Sequence, residues 1–481
     1  MRRILTLLFA CLLIGFSGCA QNPVTGRQNF VLMSETDEVK KGSEADKEVR
    51  EAYGVYELAE LQQYVNEVGQ RLAKKSHRAH LDFHFTVVDS PEINAFALPG
   101  GYIYITRGML AYLDSEAEIA AVLGHEIGHV TARHSVQQYS ASIAATGVAV
   151  LGSILLPELR TRAAQNIMGT LGNALLAGYG REHELEADRL GAEYLARVGY
   201  DPQAMVGVLR VLKNQELYDI EVAKREGREP RRYHGLFATH PDNDTRLQQV
   251  VAQAVPLSAP RIDSGRERFL KRINGIIYGD SPAQGMVRKN IFYHPDMGFV
   301  LEFPQGWRIQ NQPERLLARS PRDDSRMQLQ IGGKAQGSPI ELLRKNINFD
   351  SGSRADTNAI NGLPAALVSG TSSGQPLLAA TIFFQGNAYV ILGAGRSAAE
   401  FRQYETAMAA TARSFHAMRD AERQLVKPWN LRTTIAKPGT TMAKLAAQSP
   451  LGDNAEGLLR LINHLYPGGE PQSGQLIKVV D

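Results

Sequence analysis

The run His125-Glu126-Ile127-Gly128-His129 is where residue type and spacing speak most directly of chemistry. On a helix, positions i and i+4 lie on one face about one turn apart. Two imidazoles so placed can grip one metal ion. Glu126, one position along, can then accept a proton from a water held beside it. This is the H-E-x-x-H arrangement of zinc-dependent hydrolysis. A catalytic zinc usually takes three protein ligands and leaves a fourth position for water, so a third ligand must come from elsewhere in the chain.

The stretch His183-Glu184-Leu185-Glu186-Ala187-Asp188 supplies candidates. A helix is predicted here, running to about Arg197. Glu184 and Asp188, at i and i+4, share a face of it. One carboxylate could bind the metal while the other steadies a ligating histidine. On spacing alone His183 and Glu186 are rivals. A nitrogen and oxygen donor set suits zinc rather than a soft metal. Arg133 and His134, just past the first run, read as residues that end its helix and pair locally.

The elements that must carry these runs are visible in the patterning. Leu58, Leu61, Tyr64, Val65, Val68 and Leu72 mark one 3.6-period face between Glu57 and Lys75. Short strands are predicted at Phe83–Val88 and, after Pro99-Gly100-Gly101, at Tyr102–Ile105. Ser115-Glu116-Ala117-Glu118 has capping-box spacing and opens the helix that holds His125 and His129. Strand signals return at Phe299–Pro304 and Ala388–Leu392, each stopped by Pro or Gly.

Composition narrows the class. The chain has 481 residues, 43% hydrophobic and 21% charged, which is ordinary globular usage and suggests about two to four domains. With 53 basic and 50 acidic residues, bulk charge gives no case for nucleic-acid binding. The two cysteines, Cys11 and Cys19, exclude a disulfide framework and any cysteine-based metal site in the body of the chain. At the N-terminus, Arg2 and Arg3 precede an apolar run from Ile4 to Phe16, too short to span a bilayer comfortably but suited to a signal peptide. Phe16-Ser17-Gly18-Cys19 resembles a bacterial lipobox, which makes Cys19 the lipidation candidate. Ala20 after it favours outer-membrane sorting in that pattern. The expected localisation is periplasmic, anchored by lipid to the inner leaflet of the outer membrane.

Three motifs in order carry a family resemblance: Asn94-Ala95-Phe96-Ala97-Leu98-Pro99-Gly100-Gly101, then the HEIGH run, then Glu184-Leu185-Glu186-Ala187-Asp188. Together they resemble the HtpX-like and CaaX-endopeptidase-like zinc metallopeptidases, in the soluble envelope branch, over roughly residues 30–255. The resemblance implies one Zn2+ held by His125, His129 and Glu184, with Asp188 as a partner of the ligands and Glu126 as general base. By the same analogy Gly101–Thr106 is expected to form an edge strand on which an extended peptide pairs by β-addition. The segment Thr239-His240-Pro241 through Arg246 resembles a family segment near the active site. It implies a role for His240 as oxyanion donor or switchable plug, and places Arg246 facing the cleft. Tyr233 and His234 are further donor candidates.

The expected architecture is α+β. Residues 1–18 are a lipoprotein signal peptide and 19–30 a polar tether. Residues 31–270 are a mainly helical zincin-type metallopeptidase domain with a small β-sheet. Residues 290–418 form an α/β accessory domain whose opening, Gly298 to Trp307, resembles PsbP-like domains. Residues 428–481 form a small βααβ module that resembles LysM and raises peptidoglycan as a partner, although Thr440 stands where such modules carry Asp. An apolar helical hairpin is expected at 141–180. The implied function is cleavage of unfolded or misassembled envelope proteins. The alternative is a chaperone-like outer-membrane assembly factor whose zinc site is mostly closed.

Overall fold

The computed structural model describes residues 19–143, 179–227, 246, 263–312 and 315–481. They fall into two compact units, Met1–Tyr278 together with Asn430–Asp481, and Gly279–Trp429.

The first unit opens with strands β1 (Cys19–Gln21) and β2 (Gln28–Phe30), paired antiparallel. The predicted tether is thus a hairpin, closed by Asn22, whose buried side chain accepts from the amides of Val24 and Thr25. Helix α1 (Glu35–Tyr53) is capped by Ser34. Helix α2 (Ala59–Ala73) buries Leu61, Tyr64, Val65, Val68 and Leu72, the face marked by the sequence.

Strands β3 (His84–Val88), β4 (Ala95–Leu98) and β5 (Tyr102–Thr106) form one sheet in the order β3-β5-β4. This corrects the expected edge: β5 is the central strand, parallel to β3 and antiparallel to β4. Pro99-Gly100-Gly101 folds β5 back along β4. Gly100 and Gly101 have φ of 79° and 98°, open to glycine at little cost. The other side of β5 is then taken by β3, a pairing that no local signal encodes. The edge beside the helix that carries His125 and His129 is β4.

Helix α3 (Arg107–Tyr112) leads into α4 (Glu116–Thr131), every residue of which is buried. Ser115 caps α4 by accepting from the Glu118 amide, but the Glu118 carboxylate reaches Asp114 N at 2.6 Å, so the reciprocal bond is displaced by one residue. Helix α5 (Arg181–Val198) ends on Gly199 in the left-handed region. Helices α6 (Gln203–Arg225) and α7 (Arg266–Ile273) complete this part. Residues 144–178, most of the expected hairpin, lie outside the described residues. Among the described residues no helix is long and apolar enough to cross a membrane.

The C-terminal segment has the predicted strand, two helices and strand: Trp429–Ile435, Met442–Ala446, Ala455–Ile462 and Leu476–Val480. The central strand of its sheet, Trp429–Ile435, is flanked by Leu476–Val480 and Ile277–Tyr278. The buried Lys478 ammonium donates to the carbonyls of Leu113 at 2.7 Å and Ala111 at 3.2 Å. The segment therefore grips the turn between α3 and α4.

In the second unit, a seven-stranded sheet runs antiparallel at every pairing, from Arg308–Gln312 at one edge to Arg354–Asp356 at the other. Helix Ala398–Ser414 covers its core, which includes Trp307, Phe299, Tyr389 and Phe415. A four-stranded sheet contains Phe299–Glu302, one of the strands read from sequence. The described residues are mixed α+β.

Candidate metal centre

Small residues let α4 and α5 approach closely enough for side chains to meet. A Cβ on Gly124 would sit 3.3 Å from the Gly191 Cα, and one on Gly128 would sit 3.1 Å from the Ala187 Cα. Gly124 and Gly128 each precede a histidine of the run, so the backbone contact sets both imidazoles opposite α5.

There His125 Nε2 and His129 Nε2 lie 3.0 Å apart. Glu184 Oε2 is 3.5 Å from the first and Oε1 is 3.4 Å from the second. The three residues form a buried group whose ligand atoms all lie within 4.8 Å of one another. The donor set is two imidazole nitrogens and one carboxylate, which fits zinc. Burial opposes charge on His125, but Asp188 and Glu184 outweigh it and raise the imidazole to about 9. Burial, by contrast, pushes His129 well below its ordinary range. Glu126 is fully buried one position from His125.

Asp188, one turn after Glu184 on α5, faces His125. Its Oδ1 is 2.9 Å from His125 Nδ1, the ring nitrogen that faces away from the shared point. Arg246, itself buried, holds the two acidic residues together. Its Nε and Nη2 donate to Asp188 at 2.8 and 2.7 Å, and Nη1 lies 2.9 Å from Glu184 Oε2. Burial would raise the Asp188 carboxyl, but Arg246 and His125 hold it below the usual range. Of the expected site residues, His125, Glu126, His129, Glu184, Asp188 and Arg246 are brought together. His240, with Tyr233 and His234, lies outside the described residues.

Spacing left His183 and Glu186 as rivals for the third ligand position; in the structure they flank His134 instead. His183 stacks on the His134 ring at 4.2 Å, and Glu186 Oε2 lies 3.2 Å from His134 Nε2. Arg133 and His134 follow the end of α4 at Thr131 as expected, and His134 pairs locally, but the expected local pairing of Arg133 is corrected. Arg133 adopts φ 59° and reaches across to Glu38 at 2.9 Å and to the Met33 carbonyl at 2.8 Å. His134 meets His129, Nδ1 to Nδ1, at 2.9 Å. Tyr179 was not foreseen; its ring stacks on His129 at 3.9 Å and 17°. No pattern in the sequence announced it.

Comparison with known proteins finds relatives for part of this chain. Residues 59–254 match the family model of peptidase family M48. The chain is 32% identical over 338 residues to a beta-barrel assembly-enhancing protease of Yersinia pestis, covering 69% of this chain and 65% of that one. It is 33% identical over 218 residues to the protein of the same name from Escherichia coli K12, covering 44% and 42%. It is 37% identical over 132 residues to a mitochondrial metalloendopeptidase OMA1 of Arabidopsis thaliana, covering 27% and 26%. The chain thus spans less than two thirds of the length of these relatives. A cyanobacterial PsbP structure from Synechocystis sp. PCC 6803 aligns with 27% of this chain and 95% of its own, at 12% identity and a TM-score of 0.22.

Proposed function

Because residues 59–254 belong to peptidase family M48, we propose that this chain is a zinc-dependent endopeptidase of the bacterial envelope that hydrolyses misfolded or misassembled proteins. The observation that carries the reading is the convergence of His125, His129 and Glu184 on one buried point, with Glu126 buried one residue along from His125. The relatives named as beta-barrel assembly-enhancing proteases support the protein substrate and the envelope setting, and the one named as a metalloendopeptidase supports the chemistry.

Zinc bound by these three residues would polarise the scissile carbonyl and bring the pKa of water to near 7. The remaining steps belong to the chain. Glu126 takes the proton of the attacking water and returns it to the leaving amine. Asp188 holds the His125 ring in its ligating orientation. Arg246 offsets the charge of Asp188 and Glu184, which would otherwise repel each other across the pocket. His240 serves as oxyanion donor or as a plug. An extended peptide adds along β4, the sheet edge packed against α4. Lipidation at Cys19 would anchor the chain to the outer membrane, and the 428–481 segment remains the candidate for contact with peptidoglycan.

The test compares wild type with Glu126→Gln by metal content and by cleavage of an unfolded protein such as casein, with and without chelator. Stoichiometric zinc in both, with cleavage lost on chelation and in the variant, is expected. Equal cleavage in both proteins would remove the peptidase reading. Rescue of envelope-protein assembly by the inactive variant would instead favour the assembly-factor reading.

A further inference from the structure

We infer that Glu186 and His134 form a relay that fixes the tautomer and orientation of His129. The inference rests on the metal-centre reading and concerns only how that centre is supported.

His129 Nε2 faces His125 and Glu184. If it ligates metal through that lone pair, the proton of the neutral ring sits on Nδ1. His129 Nδ1 lies 2.9 Å from His134 Nδ1. Of two ring nitrogens in contact, one must donate and the other accept. His129 is the donor, so His134 Nδ1 accepts. The proton of His134 is then on Nε2, which faces Glu186 Oε2 at 3.2 Å. The three groups admit one proton assignment: His129 donates to His134, and His134 donates to Glu186.

Metal-bound histidines commonly donate directly to a carboxylate, a carbonyl or water. His125 follows that rule through Asp188. His129 does not, because a second imidazole stands between it and the acid. Helix α5 therefore supports both ligands, His125 through Asp188 and His129 through Glu186 at one remove. Backbone geometry makes this possible. The left-handed turn at Arg133 ends the helical path and swings His134 back beneath His129, and Glu38 and Met33 hold Arg133 in that turn. The relay is clamped by stacking, with Tyr179 on His129 and His183 on His134. His134 is fully buried, whereas the Glu186 side chain is 23% exposed and can be replaced with little strain.

The experiment measures zinc affinity of the full chain by chelator competition, with the metal alone as probe. It uses wild type, His134→Phe, His134→Gln, Glu186→Ala and the His134→Phe/Glu186→Ala double variant. Thermal unfolding of the metal-free proteins controls for folding. His134→Phe should weaken zinc binding about 10–100-fold, the usual effect of losing a ligand's outer partner. Glu186→Ala should weaken it less, since it acts through His134. The double variant should match His134→Phe. His134→Gln, whose amide oxygen can accept from His129, should recover part of the loss. Affinities of His134→Phe and Glu186→Ala within about twofold of wild type, or a double-variant loss equal to the sum of the two single losses, overturn the relay alone. A wild-type chain that holds no zinc overturns both the relay and the metal centre.

Discussion

Gly191 lies against the backbone of His125: a Cβ built on Gly191 would stand 3.0 Å from the His125 amide nitrogen and 2.6 Å from the Met205 methyl. The Met205 methyl can rotate away, but the α4 backbone cannot. Gly191→Ala should therefore push α5 off α4 and carry Glu184 and Asp188 with it. Overpacking of this kind costs about 1–3 kcal/mol. Zinc binding should weaken by at least about tenfold as the ligand geometry opens. Chelator competition and thermal unfolding check this, and an unchanged zinc affinity would mean that the glycine contact does not set the site.

Asp188→Asn separates charge from shape. The amide oxygen can still accept from His125, but the negative charge that faces both His125 and Arg246 is gone. Zinc affinity should fall about 10–100-fold while the metal-free fold survives. Full affinity in this variant would show that Asp188 acts through shape alone.

The centre was legible in the sequence only where its logic is local. The i, i+4 pair of His125 and His129 and the Ser115 cap depend on residues within a few positions, and both are realised. Choosing Glu184 over Glu186 was not local, since both lie on the same predicted helix. The face of α5 that meets α4 is marked by Ala187 and Gly191, opposite Gly128 and Gly124. Small residues at that four-residue step were the available signal. Asp188 and Glu184 flank them, whereas Glu186 is turned towards His134. The order β3-β5-β4 and the contact of Lys478 with Leu113 join residues far apart in the chain, and no window of sequence holds both partners.

Glu116 should make the first unit acid-sensitive. Burial would raise its carboxyl, but hydrogen bonds from Arg268, Tyr200, Arg71 and Tyr64 outweigh it and hold it at about 2. The folded value lies below the ordinary 4.5. The ion therefore stabilises the fold above that pH, and the contribution is lost as pH falls from there towards 2. Arg71 and Arg268 are half-exposed, so screening reduces the effect to on the order of 1–2 kcal/mol. Denaturant unfolding at about pH 5, 4 and 3 should show wild type converging on Glu116→Gln. Parallel curves for the two proteins would refute it.

Lys478 tests whether the C-terminal segment supports helix α4. Its ammonium is buried between the Ala111 and Leu113 carbonyls, 3.9 Å from Asp114, immediately before the Ser115 cap of α4. Asp114 also pairs with Arg266 at 2.6 Å, so removing the lysine does not strand that carboxylate. What is lost is packing volume and two hydrogen bonds. Lys478→Ala should cost about 2–4 kcal/mol, combining a cavity with unsatisfied carbonyls. Lys478→Met refills the volume and should cost only about 1–2 kcal/mol. Burial also depresses the Lys478 ammonium to about 8 from 10.5. The unfolded chain then binds more protons between those values, so wild-type stability should rise with pH across that window, and Lys478→Met should lack the rise. If both variants unfold like wild type, the segment is attached to the rest of the first unit without bracing it.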